Sequence, residues 1–266
     1  MLPDVQGMPD QRGVALDDVG IEGLRYPLLV ADAQGAKRET VATVDMAVSL
    51  DANVKGAHLS RFVEVLHAWR DQLAPDSALR LVEDLRTRMG SGSARVHLAF
   101  AYFLERQAPV TGARSFSEYQ CALTASVSTG DPVLTLGVRV PVTSVCPCSK
   151  AISDRGAHNQ RGYVTIEAHP AAIGEIWFDD LIAIAEASAS SPVYALLKRP
   201  DERHVTMAGY DNPVFVEDMT RQVALALRDD PRVAQFRVRV VNDESIHNHA
   251  AYAQLGWNDG AIGGAP

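Results

Sequence analysis

Alternating apolar and polar positions predict two series of β-strands along the chain. The clearest example is TVATVDMAVSL at 40–50, which alternates and is rich in Val and Thr, as expected for a strand with one buried face. Strands are predicted at 24–31, 40–50, 95–106 and 116–128 in the first half, and at 133–145, 162–169, 233–242 and 249–256 in the second. Each half therefore contributes four strands to a sheet.

Between the second and third strand of each half, apolar residues recur at helical spacing. Residues 58–72 place one apolar face on a helix, formed by Leu59, Phe62, Val63, Val65, Leu66 and Trp69. Further helices are predicted at 76–89, ending at Gly90, and at about 178–188 and 214–228. The element order ββααββ thus occurs twice, on either side of the turn at 129–132.

This order predicts an α+β fold with two tandem ββααββ units. Residues 1–20 are rich in Pro, Gly and Asp and show no period, which indicates an extended or mobile arm. We expect the first unit over 21–130 and the second over 131–266, with the second carrying most of the candidate chemistry.

Composition narrows the class of protein. The 266 residues are 47% hydrophobic and 22% charged, as in a globular protein with a sizeable core, and the net charge of −8 gives no support to nucleic-acid or membrane-surface binding. The N-terminal residues do not resemble a signal peptide, and no apolar stretch is long enough to span a bilayer. Three cysteines do not suggest a disulfide framework. We expect a cytoplasmic protein with reduced thiols.

Two cysteines and a histidine stand close together in VTSVCPCSKAISDRGAHNQ at 142–160. Cys146, Cys148 and His158 could provide metal ligands, or a nucleophile and its base. By spacing alone, this interpretation and that of two buried, inert cysteines are equally good. The polar surroundings favour a functional site, because inert cysteines normally pack among apolar residues. These surroundings comprise Lys150, Asp154, Arg155, Asn159, Gln160 and Arg161.

Two other polar clusters are weak when taken alone. Glu244 and His247 are three residues apart and could face one ligand, whereas His249 is expected to point elsewhere if a strand resumes there. The segment KRPDERHV at 198–205 is by itself typical of a solvated charged turn. Because the chain has neither GxxxxGK[ST] nor GxGxxG, any bound phosphates must be held by Arg, Lys and backbone amides.

Several motifs together resemble one family, the type IB GTP cyclohydrolase I enzymes. The resemblance rests on PVTSVCPCSKAISDRGAHNQRG at 141–162, LPDVQ at 2–6, VATVDMAVSL and KGAHLSRFVE within 41–64, PVYALLKRPDE at 192–202, YDNPVFVEDM at 210–219 and ESIHNHAAYA at 244–253. These stretches occur in the family's order and span nearly the whole chain. Two departures are Ala151, where an acidic residue is expected, and Gly162, where serine is expected.

The resemblance implies the tunnelling fold, with two ββααββ units per subunit and antiparallel sheets that assemble into barrels. It implies a homotetramer with active sites at subunit interfaces. The implied reaction converts GTP and water to formate and 7,8-dihydroneopterin 3′-triphosphate, the first step of folate-type pterin synthesis. It requires a divalent metal ion, chiefly Mn²⁺ or Zn²⁺, with Fe²⁺ and others as further candidates, and no organic cofactor.

By match to the family motifs, the expected metal ligands are Cys146, His158 and Glu202, with Glu244 and His247 adjoining or joining them. Cys146, Cys148, His158 and His247 are the expected catalytic residues, although the division between ligation and proton transfer stays open, as does the role of Cys148. Glu217 is expected to bind the guanine. The candidates for binding the remainder of GTP are His58, Ser60, Arg61, Lys150, Arg161, Lys198, Arg199 and Arg203.

Two alternatives use the same cysteines differently. A tunnelling-fold nitrile reductase would form a thioimide at Cys146 and would need NADPH, but no segment resembles the cofactor motif of that enzyme. A non-catalytic metal or redox module would use the pair Cys146 and Cys148 without turning over GTP. A requirement for metal in the turnover of GTP would distinguish the cyclohydrolase from both.

Overall fold

The computed structural model of the chain describes residues 6–258 and 261–262. Part of the predicted arm, residues 1–5, lies outside the described residues, as does most of the motif at 2–6. The chain forms two compact units. The first takes residues up to 101 together with 122–135, and the second takes 102–121 together with the residues from 136 onward. The chain therefore passes into the second unit within its third strand and returns within its fourth.

The described residues form ten strands and six helices. The strands are β1 (Leu16–Ala31), β2 (Lys37–Leu50), β3 (Ala94–Gln107), β4 (Arg114–Val127), β5 (Val133–Val145), β6 (Asn159–Pro170), β7 (Ser191–Pro192), β8 (Val233–Asp243), β9 (Ala250–Asn258) and β10 (Ala261–Ile262). The helices are α1 (Leu59–Trp69), α2 (Pro75–Met89), α3 (Pro147–Ile152), α4 (Phe178–Ala187), α5 (Arg199–Asp211) and α6 (Val216–Arg228). None of the described helices is both long and apolar enough to cross a membrane.

In the first unit, β2 pairs with β1 on one side and with β3 on the other, and both pairings are antiparallel. Alternate residues of β2 are buried, and the buried faces of α1 and α2 supply Phe62, Leu66, Leu81 and Leu85 to the core. The helix α2 ends at Gly90, whose φ of 64° is a left-handed conformation that glycine adopts without strain.

In the second unit, β5, β6, β8 and β9 pair in that order, each antiparallel to its neighbour, and β7 adds a short pairing to β5. Alternate residues of β5, β6 and β8 are buried. The helices α4 and α6 contact these strands and contribute buried residues such as Leu181, Val223 and Leu227. One face of this sheet therefore carries the core, as alternation in sequence requires.

The structure confirms the predicted α+β architecture and most of the predicted elements. The strands near 40–50, 95–106 and 133–145 and the helices near 76–89 and 178–188 lie within a few residues of their predicted bounds. Strand β1 is longer than predicted and begins at Leu16, inside the stretch predicted as an arm. Its early residues are mostly exposed and its pairing with β2 shifts register before Val19 and Leu24, so no alternation marks it in the sequence.

Four elements of the second unit were not predicted: α3, β7, α5 and the two-residue strand β10. The helix α5 covers KRPDERHV, for which the sequence favours a solvated turn. Only Asp201 and Gly209 are buried along α5, so this helix has no apolar face that periodicity could detect. The second unit thus contains the predicted ββααββ order with α3, β7 and α5 inserted, and all three insertions lie close to the candidate chemistry in sequence.

The packing of α6 on the sheet can be tested with two identical substitutions in one helix. Leu227 is fully buried and Leu225 is 46% exposed. We expect Leu227→Ala to lower the free energy of unfolding by about 2–5 kcal/mol through lost burial and a residual cavity. Leu225→Ala, with the same change in helix propensity, should change it by less than about 0.5 kcal/mol. Denaturant unfolding measures both, and equal losses would contradict this packing of α6.

Candidate active site

Strand pairing brings Cys146 and His158 side by side. Val145 and Asn159 are the last paired residues of β5 and β6. One position further, the Cys146 N–H donates a hydrogen bond to the His158 carbonyl oxygen at 3.1 Å. The segment that includes α3 therefore leaves and returns to the sheet at one point, with these two residues at its base.

Ser149, in α3, contacts both residues. Its backbone N–H donates to Cys146 Sγ at 3.4 Å, and its side-chain Oγ accepts from the His158 N–H at 3.1 Å. Pro147 occupies the first turn of α3, where a missing N–H costs nothing. Cys146 is half-buried, whereas Cys148 is exposed, and neither forms a disulfide. The Cys146 sulfur therefore accepts a hydrogen bond in a half-buried position, whereas Cys148 is exposed to solvent.

The pairing of β6 with β8 brings an acidic residue to the same place. Arg161 lies opposite Asp243, so Glu244 follows beside Gln160. The His158 Nδ1 atom lies 2.9 Å from Gln160 Oε1 and 4.0 Å from Glu244 Oε2. The side chains of His158 and Glu244 are each 15% exposed, so both are mostly buried but remain in contact with solvent.

The turn after Glu244 carries the two remaining histidines of this cluster. The His247 N–H donates to the Glu244 carbonyl oxygen at 3.4 Å, and both His247 and His249 are exposed. Their rings stack with centroids 5.1 Å apart. The condition under which His249 was expected to point elsewhere, a strand that resumes at 249, is not met, because β9 begins at Ala250 and His249 still belongs to the turn.

Within residues 6–258 and 261–262, no three side chains of His, Cys, Asp or Glu lie close enough to enclose a metal ion. His158 and Glu244 approach each other, but they do not form such a group with Cys146, Glu202 or His247 in the single chain. Glu202 is exposed in the first turn of α5. The predicted ligand set stays a prediction.

The start of α6 is fixed to the same end of β5. The Val214 N–H donates to the Val145 carbonyl oxygen at 3.1 Å, and Ser144 Oγ donates to the Val214 carbonyl oxygen at 3.0 Å. Glu217 follows three residues later, exposed in the first turn of α6. The position of Glu217 relative to Cys146 is therefore set by direct hydrogen bonds to the strand that ends at Cys146.

A buried carboxylate that the sequence analysis did not single out fixes the start of α5. Asp201 is fully buried and accepts hydrogen bonds from the Val110 N–H and Thr111 N–H, both at 2.8 Å, from the Thr111 hydroxyl at 2.7 Å and from the Lys198 N–H at 2.9 Å. Burial alone would raise the pKa of Asp201, but these hydrogen bonds outweigh it and hold the pKa below its usual range. An acid at the third helical position, next to proline, was the signal for this role in the sequence.

The predicted GTP-binding residues fall in both units. His58 precedes α1 in the first unit, with Ser60 and Arg61 exposed in the first turn. In the second unit, Lys150 Nζ donates to the Tyr210 carbonyl oxygen and lies 4.2 Å from the centre of the Tyr210 ring. Lys150 therefore already links α3 to α5.

The other basic candidates of the second unit are exposed. Arg161 lies on β6 opposite Asp243, and Lys198 and Arg199 begin α5. Arg203 lines an open cavity of about 400 Å³, whose other lining residues are Val110, Pro200, His204, Met207, Ala208 and Asp211. Glu217 and these basic residues therefore lie at the surface of the chain.

Comparison with solved structures identifies the fold class. The uricase of Arthrobacter globiformis matches 94% of this chain and 96% of its own with a TM-score of 0.51 at 11% identity. The urate oxidase of Bacillus subtilis 168 matches 91% of this chain and 98% of its own with a TM-score of 0.51 at 8% identity. Identities this low show the fold alone, which is the tunnelling fold.

Sequence comparison identifies the family. The family described as type I GTP cyclohydrolase folE2 matches residues 2–253. GTP cyclohydrolase FolE2 of Methylococcus capsulatus is 48% identical over 254 residues, which cover 96% of this chain and 94% of that protein. GTP cyclohydrolase FolE2 1 of Dechloromonas aromatica is 49% identical over 255 residues, covering 96% and 95%. The chain belongs to the type I GTP cyclohydrolase FolE2 family, as its motifs predicted, and these matches give no support to the nitrile reductase or the non-catalytic module.

The role of Asp201 can be tested by hydrogen exchange. Asp201→Asn removes the charge and replaces one acceptor oxygen with an amide that cannot accept from the Lys198 N–H. We expect protection of the Val110 and Thr111 amides to fall at least about tenfold, because hydrogen bonds to a buried charged acceptor are among the stronger ones. Asp211→Asn, at the exposed end of the same helix, is the control. Unchanged protection in Asp201→Asn would show that this carboxylate does not hold α5 to residues 110 and 111.

Proposed function

We propose that this chain is a metal-dependent GTP cyclohydrolase I, which converts GTP and water to formate and 7,8-dihydroneopterin 3′-triphosphate. The observation that carries the proposal is the match of the family over residues 2–253, combined with the placement of Cys146 and His158 next to each other, just beyond the paired ends of β5 and β6. We further propose that the enzyme acts in the cytoplasm as a homotetramer, with strands of neighbouring subunits completing barrels and active sites lying at subunit interfaces.

The donor set suits a divalent metal ion. In the proposal, Cys146, His158 and Glu202 hold the ion, with Glu244 and His247 adjoining. A thiolate, an imidazole and a carboxylate together suit Zn²⁺, Mn²⁺ or Fe²⁺. Among the described residues, His158 Nε2 has no hydrogen-bond partner while Nδ1 faces Gln160, so a ring nitrogen is open to the site. When bound, such an ion supplies the Lewis acidity that makes water nucleophilic at neutral pH.

The protein residues then bind the base and move protons. Opening the imidazole ring of guanine requires water to add at C8 and protons to reach the ring nitrogens. Two hydrolytic steps release C8 as formate, and closure of the pterin ring after rearrangement of the ribose returns one water, so the net reaction consumes one. His247 is exposed on the turn next to Glu244, and we assign it proton transfer to the leaving nitrogen. Cys148 is exposed two residues after Cys146, and we propose that it assists catalysis at this site.

Guanine recognition is assigned to Glu217. Its carboxylate can accept from N1–H and from the 2-amino group at once, a pair of donors that adenine does not offer. Glu217 is exposed at the start of α6, where the helix is fixed to the end of β5 by Val214. This attachment holds the base-binding carboxylate at a set distance from Cys146, as the attack at C8 requires.

The triphosphate needs local positive charge, because the chain as a whole carries −8. We assign it to the exposed basic residues and to the start of α1, because the N-terminus of a helix favours a bound anion. The candidates are His58, Ser60, Arg61, Arg161, Lys198, Arg199 and Arg203, with Lys150 as the least accessible because it already contacts Tyr210. Some of these residues act across a subunit boundary in the proposed tetramer.

The test is a turnover assay on metal-free protein. The protein is stripped of metal and incubated with GTP alone, with Mn²⁺ or with Zn²⁺, and the product is oxidised and read by pterin fluorescence. We expect metal-dependent fluorescence that Cys146→Ala abolishes. Glu217→Gln keeps the size of the side chain but loses its charge, and kcat/KM should fall about 100-fold or more because two charge-assisted hydrogen bonds are lost.

Asp218→Asn, in the same turn of α6, is the matched control and should leave kcat/KM within about threefold, the usual effect of an exposed substitution. Light scattering on the same sample gives the oligomeric state. The absence of pterin with every metal, from folded tetrameric protein, would contradict the proposed activity. A fall of similar size in Asp218→Asn would contradict the assignment of Glu217.

A further inference from the structure

The neighbouring strands β5, β6 and β8 each contribute one buried polar side chain to a row that begins next to His158. Ser144, Gln160 and Asn242 are 0%, 7% and 2% exposed, in a region where most neighbours are apolar. Ser144 and Gln160 face each other across β5 and β6. Asn242 pairs with Gly162, and its side chain reaches past this glycine to Ser144. Buried polar groups are costly unless they are paired, so such a row calls for an explanation.

The hydrogen bonds in this row have one consistent direction. The Ser144 hydroxyl has a single proton, which it donates to the Val214 carbonyl oxygen at 3.0 Å. Its lone pairs must then accept from Asn242 Nδ2 at 3.1 Å and from Gln160 Nε2 at 3.5 Å. With Nε2 facing Ser144, the Gln160 side chain turns Oε1 toward His158.

The direction of these bonds determines which nitrogen of His158 carries the proton. Gln160 Oε1 can only accept, and it lies 2.9 Å from His158 Nδ1. A neutral imidazole that donates from Nδ1 has its lone pair on Nε2. Glu244 Oε2, 4.0 Å from the same Nδ1, favours the same tautomer. The carbonyl oxygen of Val214 thus sets the tautomer of His158 through two side chains.

We propose that Gln160 is a positioning residue, held by Ser144, that fixes His158 as the Nδ1–H tautomer and presents Nε2 to the candidate site. The inference deepens the proposed function and rests on it, since it takes His158 as a ligand of the catalytic metal ion. Residues that orient a ligating histidine in this way typically contribute 10- to 100-fold to metal affinity.

The test uses two substitutions at one position and a matched control. Gln160→Met has nearly the same length but cannot accept the Nδ1 proton, whereas Gln160→Glu still can. Gln254→Met, an exposed position on β9, makes the same change away from His158. Each variant is examined without GTP, first by long-range ¹H–¹⁵N NMR of the histidine rings in metal-free protein at about pH 8, where imidazole is mostly neutral. The Zn²⁺ dissociation constant is then measured by competition with a chelator.

We expect the wild type, Gln160→Glu and Gln254→Met to show the Nδ1–H tautomer at His158, assigned by its loss in His158→Asn. Gln160→Met should show a mixture of tautomers or mainly Nε2–H, with Zn²⁺ bound about 10- to 100-fold more weakly. Gln160→Glu should bind Zn²⁺ at least as tightly as wild type. Should Gln160→Met not fold, Ser144→Ala takes its place, because the freed amide of Gln160 can rotate and must then give a mixed tautomer.

Two results would overturn the inference. One is a folded Gln160→Met, or Ser144→Ala in its place, with the tautomer unchanged. The other is a Gln160→Glu that loses as much Zn²⁺ affinity as Gln160→Met, which would mean that Gln160 only fills space. Neither readout involves GTP, so the failure of the proposed activity is distinguishable: no pterin from a wild type that shows the expected tautomer and Zn²⁺ affinities would remove the cyclohydrolase and leave the role of Gln160 in place.

Discussion

The antiparallel pairing of β5 with β6 is the constraint on which the candidate site depends. Because alternate residues of both strands are buried, a slip of one position would turn the core face of either strand to solvent, so the register is fixed by the hydrophobic effect. The same register ends with Cys146 beside His158. The geometry of two predicted ligands is therefore maintained by the apolar residues that β5 and β6 bury along their length.

The polar residues behind the site carry a cost that an apolar core would avoid. Asn242 Oδ1 is buried without a hydrogen-bond partner among the described residues, and it lies where a Cβ atom at position 162 would come within 2.7 Å. Glycine at 162, where the family resemblance leads us to expect serine, is thus the residue that leaves room for Asn242 beside Ser144. Removing one member of such a network leaves further buried polar atoms without a partner, so its members depend on one another.

The elements that could be predicted are those whose pattern reflects burial. The strand at 133–145 and the helix at 178–188 have clear apolar faces, and the cluster of Cys146 and His158 stands out because of residue type. The helix α5 could not be found by periodicity, since it is held by the carboxylate of Asp201 and not by an apolar face. Gln160 was visible only as one of several polar neighbours, because its importance arises from partners on other strands.

The backbone hydrogen bond between Cys146 and His158 has a further consequence for the segment that it closes. Since both ends are held by the sheet, the distance between these residues does not depend on how many residues lie between them. The run 151–156 is exposed throughout, and the entropic cost of a longer loop grows only slowly with its length. Residues 153–156, which follow α3, are therefore a suitable place to insert a peptide tag, because the paired strands keep the geometry at the base of the segment.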